Sequence, residues 1–330
     1  MKIAITGASG HIGNNLCREL IQRGHQVKVL IFLFDKSLTD IDVERVYGNI
    51  LDKKIVDNLI EGVDYVFHTA ALISIGNISK KKVFEVNIQG TKNVIEACIK
   101  HKIKRLIHFS SIHALSNISA NKEMNEYNPL VGTEAFNYDQ SKANAEKLII
   151  EACKNELKAI ILNPSSVVGP FDFVPSLVGE MIIKMASGKL PFLIKGGYHW
   201  VDVRDVVDAA INAMEKGRIG ERYLLTSQYR SLLEIAGIVS KKLNRKEPII
   251  IQDFLAWAGL PFIKILSKIT GNKALYTKES LSIVGHSPKL VDNQKAIKEL
   301  DFKPRPIEET FTDSLNWFIN NGYLKIIKPR

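Results

Sequence analysis

Cysteine is scarce in this chain of 330 residues: Cys17, Cys98 and Cys153 are its only three. They lie too far apart for a metal-binding pattern, and their odd number makes no disulfide framework. Buried thiols in a reducing compartment are the expected state, and no metal ligand set is expected. Long apolar runs are also missing. None approaches the roughly 20 residues needed to cross a bilayer, so no transmembrane segment is expected. A strand that begins at Lys2 leaves no room for a signal peptide, and the expected location is cytoplasmic. Basic charge is in excess, at a formal +10, but it is spread thinly apart from Lys80, Lys81 and Lys82. A basic stripe interleaved with aromatics is absent, which argues against a nucleic-acid partner. Solvated surface, with weak attraction of an acidic substrate or membrane surface, accounts for the charge.

The composition is otherwise ordinary: 45% hydrophobic and 24% charged residues supply a large core. The chain opens on an apolar run, Ile3 to Ile5, that reads as a buried strand. Thr6-Gly7-Ala8-Ser9-Gly10-His11-Ile12-Gly13 follows, and then a helix with apolar residues at Ile12, Leu16, Leu20 and Ile21. Three glycines on a strand-to-helix turn permit positive φ and close backbone approach. The free N–H groups of the helix start favour an anion such as a pyrophosphate. The spacing is G-x-x-G-x-x-G rather than the commoner G-x-G-x-x-G.

Strands are expected at residues 26–34, 43–47, 64–68 and 105–110. Helices between them are expected at 55–60 and 83–98. Short spacing and continuous apolar strands predict an α/β, Rossmann-like, doubly wound parallel sheet covered on both faces. Its ligand belongs at the carboxyl ends of the strands, near the switch in strand order. An acid at the end of the second strand would select NAD and an arginine NADP. Residues 29–34 offer neither, and Asp35 and Lys36, just beyond, point in opposite directions.

The strand at 105–110 ends in Ser110-Ser111. A polar loop later, Tyr138 and Lys142 open a helix four residues apart, one above the other on its surface. A phenol ionises near pH 10 in isolation, and an adjacent ammonium favours its phenolate. Such a tyrosine can serve as acid or base, while Ser111 orients a carbonyl or hydroxyl. That set suits hydride chemistry with a nicotinamide.

Taken together, these clusters resemble the extended short-chain dehydrogenase/reductases, the NAD-dependent epimerase/dehydratase family. Within it the chain most resembles the dihydroflavonol 4-reductase-like branch, through residues 163–170 and 220–225. The resemblance implies that Ser111, Tyr138 and Lys142 are catalytic. It implies cofactor contacts from Gly7, Ser9, Gly10, His11, Ile12 and Gly13, and from Asn49 and Ile50 in a Gly-Asn-Ile variant of the adenine motif. It further implies contacts from Thr69, Ala70 and Ala71, from Asn87 in support of the site, from Tyr138 and Lys142, and from Pro164, Ser166 and Val167. Trp200 to Val206 and Phe302 to Pro306 match later family motifs. Departures are Phe32 where that branch often has Arg, Ile31 where epimerases often have Asp, Asn49 for Asp, and Ser116 for Gly. The cofactor is therefore NADP or NAD.

Residues 1–169 are expected to form mainly the dinucleotide-binding domain and 170–330 mainly a smaller substrate-binding part, with some segments returning to the first. Turn-rich stretches at 188–191 and 195–198 are expected along the cleft. The large apolar residues of 254–269 suggest a helix packed on the cleft or on a partner subunit, or else a membrane-surface contact. Three functions follow: an NAD(P)-dependent carbonyl reductase or alcohol dehydrogenase, a redox-neutral nucleotide-sugar epimerase, or a non-catalytic NAD(P)-binding regulator. A dehydratase is disfavoured, because Ile112 and His113 stand where that branch places an acidic pair. The substrate is expected to be a small molecule with a carbonyl or hydroxyl. The family resemblance implies homodimer pairing through the helices at 83–98 and 138–152.

Overall fold

The computed structural model describes residues 1–33, 36–73, 78–116, 122–252, 254 and 278–325. Its centre is a seven-stranded sheet in the order β10-β6-β5-β4-β1-β2-β3. The strands are β1 (Lys2–Thr6), β2 (Gln26–Ile31), β3 (Glu44–Tyr47), β4 (Tyr65–His68), β5 (Arg105–Phe109), β6 (Ala159–Pro164) and β10 (Arg222–Leu225). Every pairing is parallel. Apolar residues run unbroken along β1, β4 and β6 because both faces are covered.

One face packs against α1 (His11–Gln22), α7 (Val203–Asn212) and α10 (Gln294–Leu300). The other packs against α2 (Lys53–Ile60), α4 (Gly90–Lys100) and α5 (Asn137–Cys153). Strand order reverses between β1 and β4, so a crevice opens where the chain leaves Thr6 and His68. The second half of the chain thus returns to the central sheet through α7, β10 and α10.

The remaining elements form a second layer. A small sheet, β11-β9-β7, joins β7 (Ser166–Val168), β9 (Gly197–Asp202) and β11 (Gln228–Ser231). Strands β8 (Phe192–Leu193) and β12 (Ile249–Ile250) pair beside it. Around Trp200 pack α6 (Leu177–Ala186), α8 (Leu232–Leu243), α9 (Lys278–His286) and α11 (Ile307–Asn320). The two late motifs lock together here. Asp202 caps α7 and holds Arg204 at 2.7 Å, while Arg305 reaches Asp205 at 2.7 Å. These contacts tie the stretch before α11 to the start of α7, which packs on the central sheet.

Two elements differ from the sequence reading. The second strand stops at Ile31, whose partner Tyr47 ends β3; Phe32 and Leu33 turn outward, 66% and 71% exposed. Apolar character alone extended that strand to 34. The helix expected at 83–98 is three pieces: α3 (Lys80–Phe84), a π-helical turn at Glu85–Gln89, and α4. The wide turn carries Asn87, in keeping with the use of π-bulges at functional places. Asp35 and residues 255–269 lie outside the described residues. Cys17 and Cys98 are buried and free, and burial pushes the Cys17 thiol up to about 12. Among the described residues no helix is long and apolar enough to cross a membrane, and no cluster of potential metal ligands occurs.

Candidate active site

A cavity of about 480 Å³ lies over the strand-order switch. Its floor begins at the glycine turn. Gly7 has φ +77°, and a Cβ there would lie 2.6 Å from the Ala70 nitrogen and from Thr69 Oγ1. Gly13 is tighter still: a Cβ would come 2.2 Å from the Gly7 carbonyl oxygen. Only glycine lets α1 start this close to β1 and β4. The helix has Gly10 as its N-cap, with no capping side chain and no acid in the first turn. Its first N–H groups therefore keep their affinity for an anion, and Gly10, His11, Ile12 and Gly13 line the cavity. An uncapped helix start over a turn with no room for a Cβ at Gly7 or Gly13 fits the pyrophosphate of a dinucleotide.

At the other side stands the helix α5. Tyr138 and Lys142 both face the cavity, as does Ser111 at the end of β5. Ser111 is buried and its Oγ accepts the His113 N–H at 3.2 Å. Burial and the carboxylate of Asp139 push the Tyr138 phenol well above the usual tyrosine range, and a hydrogen bond with Ser111 pulls it back. Burial brings the Lys142 ammonium down to about 8, and it donates to the Phe109 carbonyl at 2.7 Å. The Lys142 ammonium, expected to favour the Tyr138 phenolate, is turned here to the backbone of β5.

Behind these residues lies a buried network. Asn163 Nδ2 donates to the Ser111 carbonyl at 2.9 Å and to Glu146 Oε1 at 2.5 Å. Glu146 also accepts from Arg222 Nε at 2.6 Å. Tyr138, Lys142 and Glu146 form one stripe of α5, four residues apart. The sequence reading missed Glu146, although that i, i+4, i+8 spacing was a signal that could have found it.

Thr69, Ala71, Pro164, Ser166 and Val167 also line the cavity. Ser9, Asn49, Ile50, Ala70 and Asn87 are not in its wall. Ile50 is buried beneath Gly90, its carbonyl taken by Asn93 at 2.9 Å. Ala70 packs into the core, and Asn49 Oδ1 accepts the Leu51 N–H at 3.0 Å. Asn87 is buried: it accepts from the Leu72 N–H at 2.7 Å and donates to Ser141 Oγ at 2.8 Å. It ties the segment after β4 to α5, one turn from Tyr138. Leu190 and Tyr198, from the two turn-rich stretches, line the cavity too.

The sequence of residues 3–225 matches the model of the NAD dependent epimerase/dehydratase family. This chain belongs to that family. A nicotinamide dinucleotide is the cofactor typical of its members. The family member named sterol demethylase protein B, from Methylococcus capsulatus, is 30% identical over 98% of this chain and all of its own length. The 2-alkyl-3-oxoalkanoate reductase of Stenotrophomonas maltophilia is 32% identical over 64% of this chain and 63% of its own. The crystal structure of gox2253 superposes with a TM-score of 0.84 at 29% identity, covering 98% of this chain and 99% of that one.

Proposed function

We propose that this family member is an NAD(P)-dependent carbonyl reductase or alcohol dehydrogenase. The observation that carries the reading is that Ser111, Tyr138 and Lys142 line one cavity with the glycine turn, Lys142 one helical turn on from Tyr138. Reduction of a ketone takes one hydride at carbon and one proton at oxygen. A nicotinamide bound in the crevice would supply or accept the hydride. Gly10, His11, Ile12 and Gly13 would hold its pyrophosphate, Pro164, Ser166 and Val167 would lie against the nicotinamide part, and Lys142 would hold the ribose.

Ser111 Oγ donates to the substrate oxygen and orients it. Tyr138 is held in its protonated form by burial, so it stands ready to donate to that oxygen. In the oxidative direction the same phenol must first lose its proton, and a Lys142 ammonium released from Phe109 toward the cleft would assist. Reductase activity in a relative 32% identical supports this chemistry.

Redox-neutral epimerisation would use the same three residues, and the family name includes it. A dehydratase finds less support. The positions after Ser111 hold a buried isoleucine, Ile112, and His113, whose imidazole burial brings down to about 4. Parallel incubations of a ketone with reduced cofactor and of a nucleotide sugar with oxidised cofactor separate the first two readings. Stoichiometric loss of nicotinamide absorbance with the ketone supports the reductase; an inverted sugar with no net cofactor change supports the epimerase.

A further inference from the structure

The reacting end of the cavity is polar, but its far wall is hydrocarbon. Leu177, Val178 and Met181 of α6 face Leu193, Leu232 and Val284 across it. Among the described residues the cavity wall holds one carboxylate residue, Asp139, one lysine, Lys142, both on α5, and no arginine. A nucleoside diphosphate carries at least two negative charges, and burying them without cations or free helix N–H groups is costly.

The helix start nearest the far wall is closed to such an anion. Ser176 caps α6 by accepting the Gly179 N–H at 3.0 Å. The carboxylate of Asp172, itself buried, accepts from the Ser176 nitrogen at 2.9 Å and from Ser176 Oγ at 2.8 Å. A negative charge thus already occupies the position that a phosphate would take. Ser176 and Leu177 are in the cavity wall, so this charge sits directly behind it.

A second hollow of about 190 Å³ adjoins the first: His113, Asp139, Ser165, Ser166, Tyr198 and Ile283 belong to both walls. It too is largely hydrocarbon, with Ile112, Leu115, Met124, Val131 and Phe136 around it. Apolar side chains therefore contribute to both hollows, which meet at the residues around Asp139.

We infer that the substrate of this site is an uncharged, hydrocarbon-rich ketone or secondary alcohol, too bulky for the polar end alone, and not a nucleoside diphosphate sugar. The inference rests on the oxidoreductase reading for its carbonyl and on the two apolar walls for everything else. Oxidation removes hydride from the carbinol carbon and a proton from its hydroxyl; reduction returns both, with the nicotinamide as hydride partner.

The test uses the full-length enzyme saturated with cofactor. Linear methyl ketones of increasing length, a rigid bicyclic ketone and UDP-glucose are titrated by tryptophan fluorescence, and turnover is followed by nicotinamide absorbance. Each added methylene that is buried should tighten binding about fourfold, and UDP-glucose should give no saturable signal. Met181→Gln should flatten the dependence on chain length. Ketone binding that strengthens with length without turnover supports the apolar ligand while removing the reductase reading. Binding or turnover confined to UDP-glucose overturns the inference and leaves the Tyr138 chemistry standing. A response flat in chain length also overturns it.

Discussion

The Lys142 ammonium donates to the carbonyl of Phe109 across 2.7 Å, which anchors a buried cation on the last residue of β5. Burial lowers this lysine from 10.5 to about 8. At pH 7 the native state therefore carries a charge that it disfavours. As pH rises from about 8 toward 10.5, the unfolded chain still binds the proton that the native state has released, so stability rises with pH. The full effect is about 3 kcal/mol. Urea unfolding of wild type and Lys142→Met should show a difference that shifts in favour of wild type between pH 7 and pH 10. A constant difference would refute the buried-cation account. The variant should also bind dinucleotide more weakly.

Two buried histidines, His68 and His108, and the half-buried His113 set the acid limit. Burial brings His68 down to about 3 and His113 to about 4, and His108 falls well below its ordinary value. His68 is held between Thr6 Oγ1 at 2.7 Å and Thr91 Oγ1 at 2.9 Å, whereas neither ring nitrogen of His108 has a hydrogen-bond partner. The native state refuses protons that the unfolded chain takes up below pH 6.5. Stability is thus full above that pH and declines as pH falls toward 4, by about 1.4 kcal/mol per pH unit for each histidine. Thermal melts of His108→Leu from pH 7.5 to 4.5 should show a shallower decline than wild type. An equally steep decline would remove His108 from the account.

The Asn163 amide positions Ser111 through its carbonyl, and Arg222 neutralises the Glu146 carboxylate behind it. Arg222→Met leaves a buried carboxylate without its cation and should cost about 3–5 kcal/mol in denaturant unfolding. Arg222→Lys should recover part of that. Asn163→Ala should cost about 1–3 kcal/mol and lower kcat more than it raises KM, because Ser111 is loosened while the cavity walls stay. A pure stability loss with unchanged kcat would show that the network does not reach the site.

Gly13→Ala tests the glycine turn. Its new Cβ meets the Gly7 carbonyl oxygen at 2.2 Å, so the start of α1 must move away from β1. The expected cost is about 1–3 kcal/mol of stability, together with a loss of dinucleotide affinity measured by calorimetry. Retained affinity would mean that the anion is not held at this helix start.

Local signals carried most of the fold. The glycine turn, the apolar strands and the Tyr138–Lys142 spacing are contiguous in the chain, and each is visible without knowing what packs on it. The end of β2 was not legible, because Phe32 and Leu33 are as apolar as the strand they leave. The π turn around Asn87 was hidden as well, since a single wide turn barely alters helical periodicity. Glu146, Asn163 and Arg222 converge from α5, β6 and β10, so only the folded sheet brings them together. The far wall was least visible. Leu177, Val178 and Met181 have the spacing of an ordinary core-facing helix, and sequence cannot distinguish a helix facing a core from one facing a cavity.

The central claim is that Tyr138 exchanges a proton with the substrate oxygen, and Tyr138→Phe tests it most directly. The variant keeps the ring and loses only the hydroxyl. Steady-state turnover should fall by about 10²–10⁴-fold, while calorimetric titration finds dinucleotide bound near wild-type affinity. Turnover at the wild-type rate in a variant that binds cofactor normally would contradict the account.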